Sequence, residues 1–416
     1  MQLVAYGAQD IYLTGQPQIT FFKSVYRRHT NFAVESILQT INGTPGVGSR
    51  VSVTISRNGD LLKNLWIQFK PNGFFTGNVA NVAADFGHAL FDQLEIEIGG
   101  QLIDRQYGKW LTIWRNLSEP NPTGSQGVLT GNGVEPVIGS GSIVRSTRYN
   151  RLSYTHTGAA ATTLADAPTE AYVPMCFWFC KNPGLAVPLI ALQYHEVKFN
   201  ITFAPQSSIC ASAPTAYPGY NTVKVYADYV YLDTTERRQF AQNAHEYLID
   251  QLQIQNDTAT GGIVRLNFNH PVKELIWSGT PVPADSNSLR GGATPGPIVS
   301  SAASLATTNV SAKLVLNGTD RFTERNLKYF TRNQIWECHT GFGATAVADS
   351  VAVYSFALRP EEHQPSGTCN FSRIDTAQLL FLVPSGEALV TSLDIYAVNY
   401  NVLRIMSGMG GLAYSN

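Results

Sequence analysis

The stretch IEIGGQLIDRQYGKWLTIW, Ile96–Trp114, decides the fold because the chain carries its design twice. The second copy, LVLNGTDRFTERNLKYFTRNQIW, occupies Leu314–Trp336. Each copy begins with strand-like residues, passes a Gly-containing turn and an Asp-Arg pair, and ends in an aromatic segment closed by Trp. Self-similarity along a chain indicates repeated structural units. The sequence therefore predicts two similar domains.

Further matches keep the same order in both halves. KNLWIQF (Lys63–Phe69) corresponds to KELIWSG (Lys273–Gly279), and YADYVYL (Tyr226–Leu232) corresponds to LDIYAVNY (Leu393–Tyr400). The early matches are about 210 residues apart and the later ones about 170. One insertion in the first half explains the step, and we assign it to Glu119–Thr169, which is rich in Gly, Ser, Thr and Ala. Loops of this length are uncommon and usually functional or flexible.

Strand signals dominate the chain, since most apolar runs are rich in β-branched and aromatic residues and are bounded by turn residues. The predicted strands include Leu65–Phe69, Leu94–Ile98, Tyr172–Phe179, Val197–Phe203, Val223–Leu232, Ala312–Leu316, Val351–Leu358 and Leu393–Leu403.

One helix is predicted between the two halves, in DTTERRQFAQNAHEYLID. Asp233 can act as its N-cap, with Glu236 three residues further on as in a capping box. Phe240, Ala244 and Leu248 then share one helical face.

These signals predict an all-β protein of two consecutive eight-stranded jelly rolls, a double jelly roll, joined by a short helix. The predicted division is listed by residue number: 1–28 an N-terminal arm, 29–232 the first jelly roll with its insertion at about 119–169, 233–248 the linker helix, and 249–416 the second jelly roll.

Composition restricts the function. Charged residues make up 14% of the chain, against about 25% in typical soluble domains, and the net charge is −1. The densest basic run, Lys23–His29, is too short to predict the Lys/Arg clusters that non-specific nucleic-acid binding requires. An odd number of scattered cysteines, 5 in all, predicts free thiols in a reducing compartment. We expect neither a signal peptide nor a membrane-spanning helix.

The most charged loop, RPEEHQPSGTCNFSRID (Arg359–Asp375), has the composition of an active site. Its counterpart in the first half, CKNPGLAVPLIAL (Cys180–Leu192), lacks the glutamates and the histidine. We therefore interpret it as a loop that fixes its own shape or docks against a neighbour, with a solvated loop and a catalytic one as alternatives. Its candidate contact residues are Arg359, Glu361, Glu362, His363, Arg373 and Asp375.

Four blocks of the chain resemble the major capsid proteins of nucleocytoplasmic large DNA viruses, which include irido-, phycodna- and mimivirus-like viruses. The blocks are Gln2–Phe32, Asn182–Ile201, Ser355–Asp375 and Tyr396–Asn416. The resemblance implies a double jelly roll, homotrimers of pseudo-hexagonal outline and an icosahedral shell, with no enzymatic activity and no cofactor or metal.

The same resemblance implies partners. They are neighbouring capsomers, minor capsid and penton proteins, and inner viral membrane proteins, within a virion capsid assembled in the host cytoplasm; no sequence-specific nucleic-acid binding is expected. We expect the N-terminal arm on the inner side of the shell, where Lys23, Arg27 and Arg28 would favour an acidic partner, and Glu119–Thr169 on the outer face.

Two other functions stay open at this point. Jelly rolls also serve as lectins, so a carbohydrate-binding or adhesive β-sandwich protein is the main alternative. It predicts aromatic platforms in loops and a secretion signal, whereas most aromatic residues here fall in predicted strands. A cupin-type metalloenzyme would need clustered histidines, and the 8 histidines are scattered.

Overall fold

A computed structural model describes most of the chain. The described residues are 5, 7–70, 83, 85–119, 134–136, 142–144, 148–153, 170–210, 218–258, 260–279, 298–299, 309–341, 343, 349–390 and 392–414. Most of the predicted insertion Glu119–Thr169 lies outside them, so its position on an outer face stays a prediction. Within these ranges, no helix is long and apolar enough to cross a membrane.

The first domain is a sandwich of two antiparallel sheets. One sheet has the order β1-β12-β4-β10 with β9 also paired to β4, and the other has the order β2-β3-β11-β5-β6; β7 pairs with β8 alone. The strands are β1 (Phe32–Gln39), β2 (Ile41–Asn42), β3 (Arg50–Thr54), β4 (Leu61–Phe69), β5 (Phe91–Ile98), β6 (Gln101–Tyr107), β7 (Val134–Pro136), β8 (Ser142–Val144), β9 (Ala171–Pro174), β10 (Val187–Pro188), β11 (Val197–Phe203) and β12 (Lys224–Leu232).

The second domain repeats this arrangement. One sheet has the order β13-β22-β15-β19, with β20 paired to β15 and β23 to β22; the other has the order β14-β21-β16-β17, with β18 paired to β16. The strands are β13 (His245–Asp257), β14 (Ile263–Arg265), β15 (Pro271–Gly279), β16 (Ser311–Leu316), β17 (Thr319–Asp320), β18 (Arg325–Asn326), β19 (Val351–Ser355), β20 (Cys369–Asn370), β21 (Ala377–Leu382), β22 (Leu393–Met406) and β23 (Met409–Leu412).

The strand orders of the two domains correspond position by position. In each domain the first long strand pairs with the last, β1 with β12 and β13 with β22. On the other side of that last strand lies β4 in the first domain and β15 in the second. The opposite sheet likewise places β11 between β3 and β5, and β21 between β14 and β16. Strands distant in sequence thus alternate between two facing sheets, which is the jelly-roll topology. The predicted double jelly roll is confirmed.

Alternating side chains fill the space between the sheets. Along β3, Val51 and Val53 are buried, whereas Ser52 between them is partly exposed. Val53, Leu65 and Phe199 belong to one apolar core, and burying each such side chain contributes about 1.5–3 kcal/mol. The second domain has its own core around Trp277.

Helices are short and lie at strand ends. The α-helices are Ile11–Thr14, Phe86–Ala89, Gly108–Ser118, Arg148–Ser153, Trp178–Lys181, Gln206–Ile209, Thr234–Gln242 and Gln334–Cys338; Tyr329–Asn333 is a π-helical turn that runs into the last of them. Turns of 3-10 helix occupy Ala8–Asp10, Pro183–Leu185, Pro218–Thr222, Thr260–Gly262 and Phe371–Arg373.

The linker helix is shorter than the predicted 233–248. It spans Thr234–Gln242, and Asp233 is its N-cap without a capping side-chain hydrogen bond. From His245 the chain is a strand that pairs with β22 along all 13 residues of β13. The apolar spacing of Ala244 and Leu248 was compatible with a helix, but a long β-ladder satisfies more backbone groups and overrides that weak periodicity.

The predicted strand Tyr172–Phe179 is also only partly right. Extended structure covers Ala171–Pro174, and Trp178–Lys181 forms a helical turn. Phe177, Trp178 and Phe179 are all buried, so the run is apolar without alternation, and periodicity cannot separate strand from buried helix in such a run.

Candidate functional site

The helix Gly108–Ser118, here called the first-domain helix, joins the two domains. It follows β6 and packs on the outer face of the second domain's sheet. Trp110 stacks on Trp114 at 5.7 Å between ring centroids and contacts Tyr396 at 5.3 Å. The covered sheet positions are Ile276, Val351, Val353, Tyr396 and Val398. Because this helix covers its outer side, β15 is buried on both faces.

A buried ion pair crosses the same contact. The Lys109 ammonium donates to the carbonyl oxygen of Gly279 at 2.9 Å and to the Asp394 carboxylate. Both side chains are more than nine-tenths buried. Burial lowers the pKa of Lys109 to about 8, although the attraction of Asp394 opposes that shift. The first-domain helix is therefore held by a charged bond as well as by apolar packing.

The members of the two Asp-Arg pairs of the repeat, Asp104-Arg105 and Asp320-Arg321, bind partners outside the pair. Asp104 accepts a hydrogen bond from the backbone N–H of Leu252 at 3.1 Å, across the domain contact. Burial raises the pKa of Asp104 to about 7. Arg105 instead binds Glu95 at 2.6 Å, and Asp320 binds Lys313 at 2.9 Å. Neighbours in a strand point to opposite faces, so an adjacent Asp and Arg cannot readily pair.

The charged loop Arg359–Asp375 is anchored through Glu361. Its carboxylate lies 3.0 Å from Nδ1 of His339 and accepts hydrogen bonds from the backbone N–H and the hydroxyl of Thr340 at 3.1 and 2.9 Å. The other ring nitrogen of His339 lies 3.0 Å from a carboxylate oxygen of Glu274, and both of these side chains are fully buried. Glu361 thus fixes the shape of the loop.

Two carboxylates determine the charge of His339. Burial alone would lower the pKa of His339, but Glu274 and Glu361 raise it to about 9. Burial tends to raise the pKa of Glu361, but its bonds to His339 and Thr340 bring it below the ordinary value. At neutral pH the imidazolium therefore bridges two carboxylates.

The segment after His339 connects this cluster to the first domain. The hydroxyl oxygen of Thr340, whose hydrogen is donated to Glu361, also lies 3.1 Å from the carbonyl oxygen of Ser118, and the N–H of Gly341 donates to the carbonyl of Leu117 at 2.6 Å. A Cβ on Gly341 would lie 2.3 Å from the carbonyl oxygen of Asn116, so only glycine permits this approach. The loop, His339 and the end of the first-domain helix form one continuous bonded unit.

The other predicted contact residues remain at the surface. Arg359 and Glu362 form an exposed ion pair at 3.1 Å, of a kind worth about 0–1 kcal/mol. Arg373 and Asp375 are exposed and His363 is partly exposed. Lys23, Arg27 and Arg28 are exposed in the arm. The structure brings Glu361 into a cluster and leaves these eight side chains accessible to partners.

An aromatic platform on the first domain escaped the sequence analysis. Trp66 stacks on Tyr226 with centroids 4.3 Å apart and meets Tyr172 edge-on at 5.3 Å. The indole N–H donates to Asp228 at 3.0 Å. Trp66, Tyr172 and Asp228 line a shallow depression of about 330 Å³ beside Leu152. Alternation along LWIQF (Leu65–Phe69) places Trp66 on the outer face of the sheet. This alternation is the sequence signal that could have indicated an outward-facing aromatic residue here.

Neutralising Glu361 should destabilise the chain, whereas neutralising Glu362 should not. We expect Glu361→Gln to lower the free energy of unfolding by about 1–3 kcal/mol, because it removes a charge-assisted acceptor from a buried imidazolium. Glu362→Gln is the matched control, with a change below about 0.5 kcal/mol. Denaturant unfolding of both variants checks this, and equal midpoints would show that Glu361 contributes nothing.

Stability should fall at alkaline pH through His339. Its folded pKa, about 9, lies above the ordinary 6.5, so its contribution is fully present below about pH 6.5 and is lost as pH rises through about 9. We expect a loss of roughly 1–3 kcal/mol over this window. Lys109 has the opposite effect on stability as pH rises, because its folded pKa lies below its ordinary value.

The difference between wild type and His339→Gln isolates this effect, because Lys109 titrates in both proteins. The free energies of unfolding of these two proteins, measured from pH 6 to 10, should converge as pH rises. Parallel curves would mean that His339 does not titrate between the two carboxylates.

Among the described residues, no group of three or more His, Cys, Asp or Glu side chains is placed to hold a metal ion. The apolar contacts and paired charges of this region position structural elements of the two domains against each other.

Comparison with known proteins gives matches over both domains. A family model described as "Major capsid protein N-terminus" matches residues 20–233, and one described as "Large eukaryotic DNA virus major capsid protein" matches residues 236–411. The division between these matches falls at the start of the linker helix.

Individual relatives extend over the whole chain. The major capsid protein of Pyramimonas orientalis virus is 44% identical, over 100% of this chain and 99% of its own length. That of Paramecium bursaria Chlorella virus 1 is 41% identical with the same coverage. A solved structure, "PBCV-1 virus capsid, quasi-atomic model", matches with a TM-score of 0.72 and 38% identity over 95% of this chain and 100% of that one.

Proposed function

The chain belongs to the family of major capsid proteins of large eukaryotic DNA viruses, and from this premise we propose that three copies associate into a capsomer of pseudo-hexagonal outline that tiles the viral shell. The family is one of structural proteins, so the role is assembly and not catalysis. The alternative of a carbohydrate-binding protein has no support among the relatives.

The observation that carries this proposal is the corresponding strand order of the two domains. Three chains with two such domains each present six similar blocks around a threefold axis. Similar flanks let one capsomer meet neighbours on six sides through repeated contacts, as closed symmetric assembly requires. The low content of charged residues, 14%, suits a subunit whose surface is largely covered by others.

Native mass measurement tests the capsomer directly. We expect one species at three times 45.4 kDa that persists on dilution into the micromolar range. A monomer at all concentrations would overturn the proposal, and a monomer that binds glycans would favour the carbohydrate-binding alternative.

The N-terminal arm, residues 1–28 in our division, supports a second part of the proposal. Its described residues are exposed, including large apolar side chains such as Tyr12 and Phe22 and the basic Lys23, Arg27 and Arg28. Exposed apolar groups beside positive charge suit an acidic protein partner. We assign the arm to the inner side of the shell, in contact with minor capsid, penton or inner membrane proteins, during assembly in the host cytoplasm.

Deleting residues 1–20 should spare the trimer and impair shell assembly. The reason is that the described part of this segment packs on neither core. Native mass of the deletion variant and electron microscopy of particles in infected or co-expressing cells check the two halves of the prediction. Loss of the trimer itself would contradict it.

The exposed members of the charged loop complete the proposal. Arg359, Glu362, His363, Arg373 and Asp375 are available for contacts with a neighbouring copy or capsomer, where paired charges set register and partner choice more than affinity. Glu361 anchors the loop that carries these residues through its bonds to His339 and Thr340.

A further inference from the structure

One outer sheet face in this chain is buried by a helix, whereas its counterpart stays partly exposed among the described residues. In the second domain, Ile276 on β15 pairs with Tyr396 on β22, and both lie under the first-domain helix. In the first domain, Trp66 on β4 pairs with Tyr226 on β12. Since β4 corresponds to β15 and β12 to β22, Trp66 and Tyr226 stand where Ile276 and Tyr396 stand.

The correspondence extends to a third strand. Pro174 pairs with Trp66 as Val353 pairs with Ile276, and Tyr172 is two residues before Pro174 as Val351 is two before Val353. Val351 and Val353 are buried beneath the first-domain helix, whereas Tyr172 and Pro174 retain exposure. Within the described residues, the platform is thus a partly exposed copy of a docking face that the chain already uses.

The docking element is also duplicated. Tyr329–Asn333 and Gln334–Cys338, together the second-domain helix, follow β17 and β18 as the first-domain helix follows β6. Trp114 and Trp336 close the two matching segments. Trp114 is 8% exposed beneath the domain contact, whereas Trp336 is 86% exposed. An indole left in water at the place where its equivalent is buried indicates an absent partner surface.

We propose that Trp336 of one copy packs on the Trp66–Tyr172–Tyr226 platform of the next copy, so that the contact between the two domains of one chain recurs between chains. This rests on the proposed capsomer and deepens it by naming the contact. Each chain supplies one exposed tryptophan on the second-domain helix and one platform, so the contact is heterologous, and three copies closed in a ring leave neither unused.

A second copy fits the platform better than a sugar does. Stacked aromatic rings with Asp228 nearby are compatible with either occupant. However, the equivalent face of the same fold is covered by the helix that carries Trp110 and Trp114, and the chain has a matching helix whose Trp336 is exposed. Large aromatic side chains that meet in the centre of an interface supply most of its binding energy.

The first test is the trimer–monomer equilibrium of Trp336→Ala, measured by analytical ultracentrifugation. We expect the dissociation midpoint to rise by roughly 30-fold or more, the effect of losing a central aromatic contact. Tyr194→Ala is the matched control, since Tyr194 is another exposed aromatic residue outside both surfaces, and it should shift the midpoint less than about 3-fold. Circular dichroism confirms that each variant is folded.

The second test is covalent. The double variant Trp336→Cys/Tyr172→Cys, oxidised as a trimer, should give covalent dimers and trimers on a denaturing gel, whereas each single variant should match wild type with its native cysteines.

Three results would overturn the inference. If the wild type is trimeric, an unchanged dissociation midpoint of Trp336→Ala together with no new cross-links would refute this contact but not the capsomer. A monomeric wild type would remove the capsomer and the contact together. Quenching of Trp66 fluorescence by added glycans, lost in Trp66→Ala, would assign the platform to carbohydrate instead.

Discussion

Replacing Lys109 by methionine should lower the free energy of unfolding by about 3–5 kcal/mol, the cost of leaving one member of a buried ion pair without its partner. The Asp394 carboxylate would then keep a negative charge in a site from which water is excluded. The carbonyl of Gly279 would also lose its donor. Methionine matches the length and volume of lysine, so lost charge and not a cavity causes the change.

The double variant Lys109→Met/Asp394→Asn separates charge from packing. Asparagine removes the carboxylate charge that Lys109 no longer neutralises and retains an acceptor for Asn256, which donates to Asp394 in the native chain. We therefore expect the double variant to be more stable than Lys109→Met alone. Chemical denaturation of the wild type, the two single variants and the double variant gives the comparison. If the two substitutions were simply additive in their cost, the buried ion pair would not be the source of the stability.

Trp114→Ala should also cost about 3–5 kcal/mol, in the range for truncating a large buried aromatic side chain. The indole stacks on Trp110 and meets His339 edge-on at 6.5 Å. The Lys181 ammonium lies over its ring, 4.0 Å from the centroid, and such a contact contributes about 0.5–2 kcal/mol. Because these partners come from both domains, the two domains should lose their common unfolding transition and melt separately.

The duplicated chain supplies the control for this change. Trp336 stands in the matching segment but is exposed, so under conditions where chains are monomeric Trp336→Ala should change stability by less than about 0.5 kcal/mol. Differential scanning calorimetry at low protein concentration measures both variants. Equal effects of the two substitutions would mean that the first-domain helix is not what couples the domains.

The fold was predictable from sequence because its strands are long, alternating and duplicated. In LWIQF (Leu65–Phe69) and LEIEI (Leu94–Ile98), alternation along the strand indicates which side chains face the core. The repeat of Ile96–Trp114 at Leu314–Trp336 indicates the order of the elements in both domains before any contact is known. What failed was local. The helical periodicity of Ala244 and Leu248 is real, but the long strand β22, distant in sequence, decides their conformation.

The site was only partly predictable, for a related reason. A charged loop in a charge-poor chain singled out Glu361, but its partner His339 had no spacing signal. Lys109 and Asp394 are 285 positions apart, and only the folded chain brings them together. Alternation indicated that Trp66 faces outward, yet it cannot say what covers an outward face; the comparison with the covered sheet of the second domain was needed for that.

These features together describe a subunit built for repetition. The contact within the chain combines a helix with two tryptophans, a buried lysine and a loop clamped by Glu361. The first domain carries the platform at the place of the covered face, and the second domain carries the exposed Trp336 at the place of Trp114. A gene duplication that preserves both surfaces would allow one type of contact to serve inside and between chains.

A cryo-EM reconstruction of the purified trimer, at a resolution that shows aromatic side chains, tests the proposed contact between copies. We expect six jelly rolls around one axis, with Trp336 of every chain resting on Trp66 and Tyr226 of its neighbour, as Trp114 rests against the second domain within the chain. A trimer in which Trp336 faces solvent while the platform meets another surface, or is itself open, would contradict it.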